Sequence, residues 1–191
     1  FDTEFFESIE RIEIIACGTS KHAAMVGSFL LEQFSGIPTN VFYASEFRYS
    51  PPPLLPNTLT IGVTQSGETA DTIAAIDMEI KRRSSIDDKK FKPNLIAITN
   101  RKESSIGRQV SNIIDICAGI EVGVAATKTF FGQLLSFYGL AIKFAQIKGN
   151  QSPDEIVKLI NSLLKLPPLL DDLLEKHNKS SEKLAHDFFN I

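Results

Sequence analysis

The sequence predicts an α/β fold, a three-layer αβα sandwich in which helices cover both faces of a five-stranded parallel sheet. Short apolar runs rich in β-branched residues alternate with helical patterns from Ile12 to Gly149. The 191 residues, 43% of them hydrophobic, suffice for one well-buried domain with an appendage. After Gly149 only helical patterns remain. We therefore expect a flavodoxin-like sheet of order 2-1-3-4-5 followed by C-terminal helices.

The predicted elements follow in chain order. Pro51, Pro52 and Pro53 end a short helix and force an extended loop, and residues 84–93 form a charged surface connector. The five strands are predicted at residues 12–16, 40–43, 59–63, 95–99 and 113–117. Between them, helices are predicted at residues 21–34, 45–49 and 69–83, with a brief turn at 105–110 and a long helix from about 125.

The C-terminal segment, residues 151–191, is expected to be a helical connector after a sheet domain at residues 1–150. It either packs back on the sheet or leads to a domain that this chain does not contain. Ser152 is placed to cap a helix, and Pro153 suits its first position. The sequence Leu166-Pro167-Pro168 is expected to break the pattern before two further helices, at residues 169–177 and 180–189. Apolar side chains would gather on one face of this segment: Leu169, Leu170, Leu173 and Leu174. Such a face needs a partner to cover it, so the chain is expected to form a homodimer or to expose an apolar patch that favours association.

Composition excludes several classes of function. With 20 basic and 23 acidic residues and a net charge of −3, the chain has no electrostatic footprint for nucleic acid or a membrane surface. Cys17 and Cys117 cannot form a disulfide framework, which favours the cytoplasm. The acidic N-terminus lacks the pattern of a signal peptide. Polar residues such as Lys128 and Gln133 interrupt the long apolar helix, which favours a buried core helix over a membrane span. Neither a cofactor nor a metal ion is expected, because nucleotide fingerprints and metal-ligand spacings are absent from the sequence.

The most informative motif is VTQSGETADT, residues 63–72, which follows a predicted strand and enters a predicted helix. Hydroxyl and amide side chains occupy four positions in it: Thr64, Gln65, Ser66 and Thr69. Gly67 allows a sharp turn, so N–H groups and hydroxyls can converge on an anion at the positive end of a helix dipole. Glu68 and Asp71 are interpreted as first-turn acids that interact favourably with this dipole and do not themselves bind phosphate.

A second loop, Gly18-Thr19-Ser20, follows the first predicted strand and has similar chemistry. In a sheet of order 2-1-3-4-5, strands one and three are neighbours at the switch point, so the two loops would face one crevice. One such loop alone is usually only a turn and a helix cap, but two at adjacent strand ends favour a ligand site. Neutral donors without a lysine suit a phosphate monoester of a small polar molecule. Glu121 either faces this crevice or is a solvated loop acid.

Four segments in this order resemble the sugar isomerase (SIS) part of the glucosamine-6-phosphate synthase family: ACGTSKHA (16–23), ASEFRY (44–49), TQSGETADT (64–72) and EVGVAATK (121–128). The resemblance implies a phosphosugar-binding SIS domain at residues 1–150 and a connector toward a second SIS domain. It implies that Thr64, Gln65, Ser66 and Thr69 take the phosphate with help from Ser20, and that Thr19 and the backbone of Val124 touch the sugar.

The family makes glucosamine 6-phosphate from fructose 6-phosphate and glutamine. The resemblance implies that its ring-opening histidine, enolisation glutamate, Schiff-base lysine and glutamine-cleaving cysteine lie outside residues 1–191, so we expect this chain to bind sugar phosphate without catalytic residues of its own. The alternative is a stand-alone module that senses phosphosugars, since the same domain type is used that way. The segments ASEFRY and EVGVAATK favour the first interpretation.

Overall fold

A five-stranded, entirely parallel sheet forms the centre of the first of two compact units, Phe1–Asn150 and Gln151–Ile191. A computed structural model describes residues 3–123 and 125–189 of the chain. The strands are β1 (Arg11–Ala16), β2 (Thr39–Tyr43), β3 (Thr58–Thr64), β4 (Asn94–Thr99) and β5 (Ile113–Asp115). Their order is β2-β1-β3-β4-β5, which confirms the predicted topology.

Helices cover both faces of the sheet and complete the predicted three layers. They are α1 (Thr3–Glu7), α2 (Gly18–Ser35), α3 (Ala44–Phe47), α4 (Ala70–Ser84), α5 (Ser105–Gln109) and α6 (Lys128–Lys148). On one face α2 and α6 pack closely, with Gly27 of α2 directly against the Phe137 ring. On the other face α3, α4 and α5 enclose a core that includes Phe47, Ile76 and Ile106.

Two local features of this unit depart from the prediction. The helix α1 was not predicted; its Phe6 packs edge-on against Phe144 of α6, with ring centroids 4.9 Å apart. The strand β5 ends at Asp115 rather than at Cys117. The Asp115 carboxylate accepts a hydrogen bond from the Cys117 N–H at 2.9 Å, and Cys117 adopts a φ of 51°, which is incompatible with a strand.

The second unit consists of α7 (Pro153–Leu164) and α8 (Leu166–Phe189). The predicted start of α7 is present, since Ser152 and Glu155 form a reciprocal capping box. A break is present between α7 and α8, at Lys165, but the predicted division of residues 169–189 into two helices is wrong, because α8 is continuous. Pro167 and Pro168 lie in its first turn, where a missing N–H costs no intrahelical hydrogen bond. None of the described helices is long and apolar enough to cross a lipid bilayer.

Candidate functional site

The two hydroxyl-rich loops meet at the carboxyl ends of β1 and β3. These strands are paired in parallel, with Ala16 opposite Val63, so the chain leaves both at the same edge of the sheet. Between the loops lies a cavity of about 200 Å³, which we call the switch-point pocket. It is lined by Cys17, Gly18, Thr19, Ser20, Gln65, Ser66, Thr69 and Ala126.

Two helices begin at this pocket. Gly18, with a φ of 55°, turns the chain from β1 into α2, and Lys21 N is bonded to the Cys17 carbonyl at 3.3 Å. Thr69 precedes α4, and its carbonyl accepts from Ile73 N at 3.0 Å. The first N–H groups of a helix have no intrahelical acceptor and carry partial positive charge. The pocket therefore presents the positive ends of two helix dipoles to a bound group.

The loop at residues 64–69 is held by its own side chains. The hydroxyls of Thr64 and Thr69 lie 2.8 Å apart, and Thr64 Oγ1 also accepts from Gly67 N at 3.3 Å. The Glu68 N–H donates to Ser66 Oγ at 3.1 Å. Gly67 has a φ of 70°, and a Cβ there would lie 1.8 Å from Ser104 Oγ, so a side chain has no room. These hydrogen bonds fix the positions of the hydroxyl groups within the loop.

The same loop is tied to the segment that follows β4. Asn100 N donates to the Gln65 carbonyl and Ile106 N to the Gly67 carbonyl, both at 3.1 Å. The Glu68 carboxylate accepts from Ser105 N at 2.8 Å, and its hydrogen bonds with Ser105 lower the pKa of this carboxyl. Glu68 therefore caps α5 rather than serving the dipole of α4 as predicted.

Glu121 lines the part of the crevice that lies beside Gln65 and Ser66, and its carboxylate also has a structural role. Its carboxylate accepts hydrogen bonds from Thr127 N at 3.2 Å, from Lys128 N at 2.9 Å and from the hydroxyls of Thr127 and Thr129. The hydrogen bond from the Thr129 hydroxyl is the main reason that the pKa of Glu121 falls to about 2. Glu121 thus anchors the start of α6 as an ionised cap.

A second cavity, of about 430 Å³, adjoins the switch-point pocket through Gln65 and Ser66. Its remaining lining comes from the segments after β4 and β5: Asn100, Arg101, Gly119, Ile120 and Glu121. Asn100 braces these segments, because its Nδ2 donates to the Gly119 carbonyl at 2.6 Å and its Oδ1 accepts from Ala118 N at 2.8 Å. The crevice therefore has room beyond a phosphate-sized group. The sequence analysis missed Asn100, although a polar residue at the carboxyl end of β4 is a usable signal.

Five of the seven predicted binding residues line the switch-point pocket: Thr19, Ser20, Gln65, Ser66 and Thr69. Thr64 is 2% exposed and lies behind the loop, with its hydroxyl bonded to Thr69 and Gly67, so its contact with phosphate stays a prediction. Val124 lies outside the described residues. Among the described residues that line the pocket, none carries a carboxylate, imidazole or amine. The switch-point pocket can therefore hold an anion, whereas the carboxylate of Glu121 lies in the adjoining cavity and is engaged in capping α6.

Gln133 of α6 is a further residue that the sequence analysis did not place at the site. It is 1% exposed, and its Nε2 donates to Ser20 Oγ at 2.9 Å. The sequence signal was available, because Gln133 is one of the few polar residues within an apolar helix. The sequence did not indicate that this side chain points toward the loop at residues 17–20.

Comparison with known proteins gives one family and several close relatives. Residues 5–143 match the SIS domain family. Over 183 residues the chain is 53% identical to the glutamine–fructose-6-phosphate aminotransferase (isomerizing) of Thermosynechococcus vestitus, covering 96% of this chain and 29% of that protein. It is 51% identical over 187 residues to the enzyme of the same name from Synechocystis, covering 98% of this chain and 30% of that protein.

A solved structure shows the same arrangement. The C-terminal domain of glucosamine-fructose-6-phosphate aminotransferase from Francisella tularensis is 30% identical and superposes with a TM-score of 0.86, covering 97% of this chain and 50% of that one. The chain therefore spans less than a third of the length of the two curated relatives and half of this solved domain.

Proposed function

Because this chain belongs to the SIS domain family, we propose that its switch-point pocket binds the phosphate of a sugar phosphate, fructose 6-phosphate or glucosamine 6-phosphate. The observation that carries the proposal is the convergence of two hydroxyl-rich loops, each opening a helix, on one cavity. Hydroxyls, an amide and helix N-termini are suitable donors for a phosphate. Thr19, Ser20, Gln65, Ser66 and Thr69 are the side chains that would hold the ligand.

The sugar part would extend from the pocket along the crevice. Gln65 and Ser66 line both cavities, so a ligand held at Ser66 can reach the space beside Asn100 and Arg101. Binding sites of this kind lie outside the carboxyl ends of the strands in open α/β sheets. The cavity volumes support a ligand larger than inorganic phosphate.

We propose that the chain acts as the phosphosugar-binding part of an enzyme that makes glucosamine 6-phosphate from fructose 6-phosphate and glutamine. The chain is homologous to the isomerase half of glutamine–fructose-6-phosphate aminotransferases, at 51–53% identity over nearly its whole length. This level of identity supports the enzyme over the alternative of a stand-alone sensing module. Isomerisation requires a positioned base, and the described pocket lining supplies none, so we expect this chain alone to give no turnover.

Assembly and location are part of the same proposal. We propose that residues 151–191 are a connector toward a second SIS domain and that the chain forms a homodimer. Three leucines on α8 support this, because Leu169, Leu173 and Leu174 are each more than half exposed in the single chain. Sedimentation that is independent of concentration and gives a monomer would contradict the dimer. We propose a cytoplasmic location, which suits the free thiols of Cys17 and Cys117.

Calorimetric titration tests the binding proposal. Fructose 6-phosphate is expected to bind and unphosphorylated fructose to bind far more weakly, because the pocket recognises the phosphate. Losing a hydrogen bond to a charged group costs about 1.5–3 kcal/mol, so Ser66→Ala and Thr69→Ala should each weaken binding by about tenfold or more. Unchanged affinity in both variants would refute the assignment of the pocket.

A further inference from the structure

We propose that Gln133 is a positioning residue for phosphate binding: by donating to Ser20 Oγ, it directs the Ser20 hydroxyl proton into the switch-point pocket. The inference rests on the proposed function, because it assumes an anion in that pocket. It goes further by assigning a role to a buried side chain on α6 that does not line the pocket itself.

The direction of the hydrogen bond follows from the amide nitrogen of Gln133 lying toward Ser20. Gln133 Nε2 lies 2.9 Å from Ser20 Oγ, and an amide nitrogen of this kind only donates. A hydroxyl has one proton and two lone pairs. Since Ser20 Oγ accepts from Gln133, its own proton remains available to a second partner. Ser20 lines the pocket, in the first turn of α2, so an anion bound there would accept this proton.

A purely structural role explains Gln133 poorly. The side chain is 1% exposed, and its Oε1 is buried without a hydrogen-bond partner among the described residues. Burying an unpaired oxygen is unfavourable, and an apolar side chain of similar volume would fill the same space without that cost. The amide is explained if its donor is needed at Ser20. An acceptor in its place would take the serine proton and leave lone pairs facing the anion.

The neighbouring turn of α6 supports the same interpretation. Thr129 lies four residues before Gln133, on the same face of the helix, and holds Glu121 through its hydroxyl. Gln133 holds Ser20 in the loop after β1. One face of α6 thus fixes two of the loops that surround the pocket, and Gln133 is the position that acts on a predicted phosphate contact.

A double-mutant cycle tests the proposal, with fructose 6-phosphate and inorganic phosphate as the titrated probes. The variants are Ser20→Ala, Gln133→Met and the two combined, and Gln133→Leu replaces Gln133→Met if the latter does not fold. Each single substitution is expected to weaken binding by about tenfold. In the Ser20→Ala background the Gln133 substitution should add nothing, because its effect passes through the serine hydroxyl.

Leu140→Ala is the matched control, since Leu140 is a buried residue of the same helix outside the pocket lining. It should lower the melting temperature and leave the affinity for both probes unchanged. Equal affinities of wild type and Gln133→Met would overturn the inference, and so would losses that multiply in the double variant. A wild-type chain that binds neither probe would overturn the inference together with the proposed function. Binding weakened by Ser66→Ala but not by Gln133→Met would overturn the inference alone.

Discussion

The hydroxyls of Thr64 and Thr69 lie 2.8 Å apart and join the two ends of the loop at residues 64–69. Thr64 is the last residue of β3, and Thr69 is the residue before α4. The contact therefore fixes the distance between a strand end and a helix start, and Gln65 and Ser66 between them line the pocket. Thr64 also accepts from Gly67 N, so one buried hydroxyl serves two positions of the loop.

Replacing Thr64 by valine is predicted to destabilise the loop and the fold. The substitution keeps the shape of the side chain but leaves the Gly67 N–H and the Thr69 hydroxyl without this partner. Unsatisfied buried groups cost about 1–3 kcal/mol, which urea denaturation can measure. Thr64→Ser is the control, because it keeps the hydroxyl, and it should lose clearly less stability than Thr64→Val. Equal losses in the two variants would show that the hydroxyl does not matter.

Gly67→Ala is predicted to be much more damaging than Gly119→Ala. Both glycines have a positive φ, 70° and 67°, so both substitutions carry the strain of a left-handed residue, about 1–2 kcal/mol. A Cβ at Gly67 would also collide with Ser104 Oγ at 1.8 Å, whereas nothing lies within 4 Å of a Cβ at Gly119. Urea denaturation should show the larger loss at Gly67, accompanied by weaker sugar phosphate binding. Similar losses at both positions would contradict the described packing.

Glu121→Gln is predicted to lower the melting temperature at pH 7 and to remove part of the acid sensitivity. The amide replaces one accepting oxygen by a donor that faces the donors of Thr127 and Thr129. Because the pKa of Glu121 lies at about 2 in the folded chain and its ordinary value is 4.5, its contribution is complete above pH 4.5 and is lost toward pH 2. The difference in melting temperature should shrink over that window. A difference that stays constant with pH would contradict this role.

Glu13 is predicted to make the fold less stable as the pH rises, the opposite of the effect of Glu121. It lies 3% exposed in β1, and burial, aided by the charge of Glu79, raises its pKa to about 7 from an ordinary 4.5. The folded chain therefore binds the proton more tightly than the unfolded chain. Its contribution to stability is complete below about pH 4.5 and is lost as the pH rises through 7.

Glu13→Gln should therefore be more stable than wild type at pH 8 by roughly 1–3 kcal/mol, with little difference at pH 4. The amide imitates the protonated carboxyl, so the ionisation cost disappears. Urea denaturation at the two pH values measures the difference. A variant that is less stable than wild type at pH 8 would show that the ionised carboxylate is stabilised by Arg83 and its neighbours.

The topology could be predicted because strand runs and helical runs alternate clearly, and the parallel direction of the strands follows from that alternation. Single elements were harder where tertiary or local contacts decide. The helix α1 is five residues long and depends on packing of Phe6 against Phe144. Two consecutive prolines, Pro167 and Pro168, are tolerated in the first turn of α8. They therefore lie just after the boundary between α7 and α8 and do not interrupt α8.

The two pocket loops could also be predicted, because each combines a strand end, small polar residues and a helix start. The contacts that support these loops could not be predicted from the sequence. Gln133 reaches Ser20 across 113 positions of sequence, and Asn100 is bonded to Ala118 and Gly119, 18 and 19 residues away. Only the folded geometry brings such pairs together. Glu121 illustrates the same limit, since the sequence did not indicate that its carboxylate accepts hydrogen bonds from donors six to eight residues later.

The most direct test of the binding proposal is a nitrogen-15 NMR titration of the labelled chain with fructose 6-phosphate. Ligand-induced amide shifts are predicted to concentrate at residues 18–20 and 65–69, the start of α2 and the loop before α4, because these two segments border the switch-point pocket. Ser66→Ala should require a higher ligand concentration for the same shifts. Saturable binding whose shifts fall elsewhere in the chain and leave both loops unaffected would contradict the account.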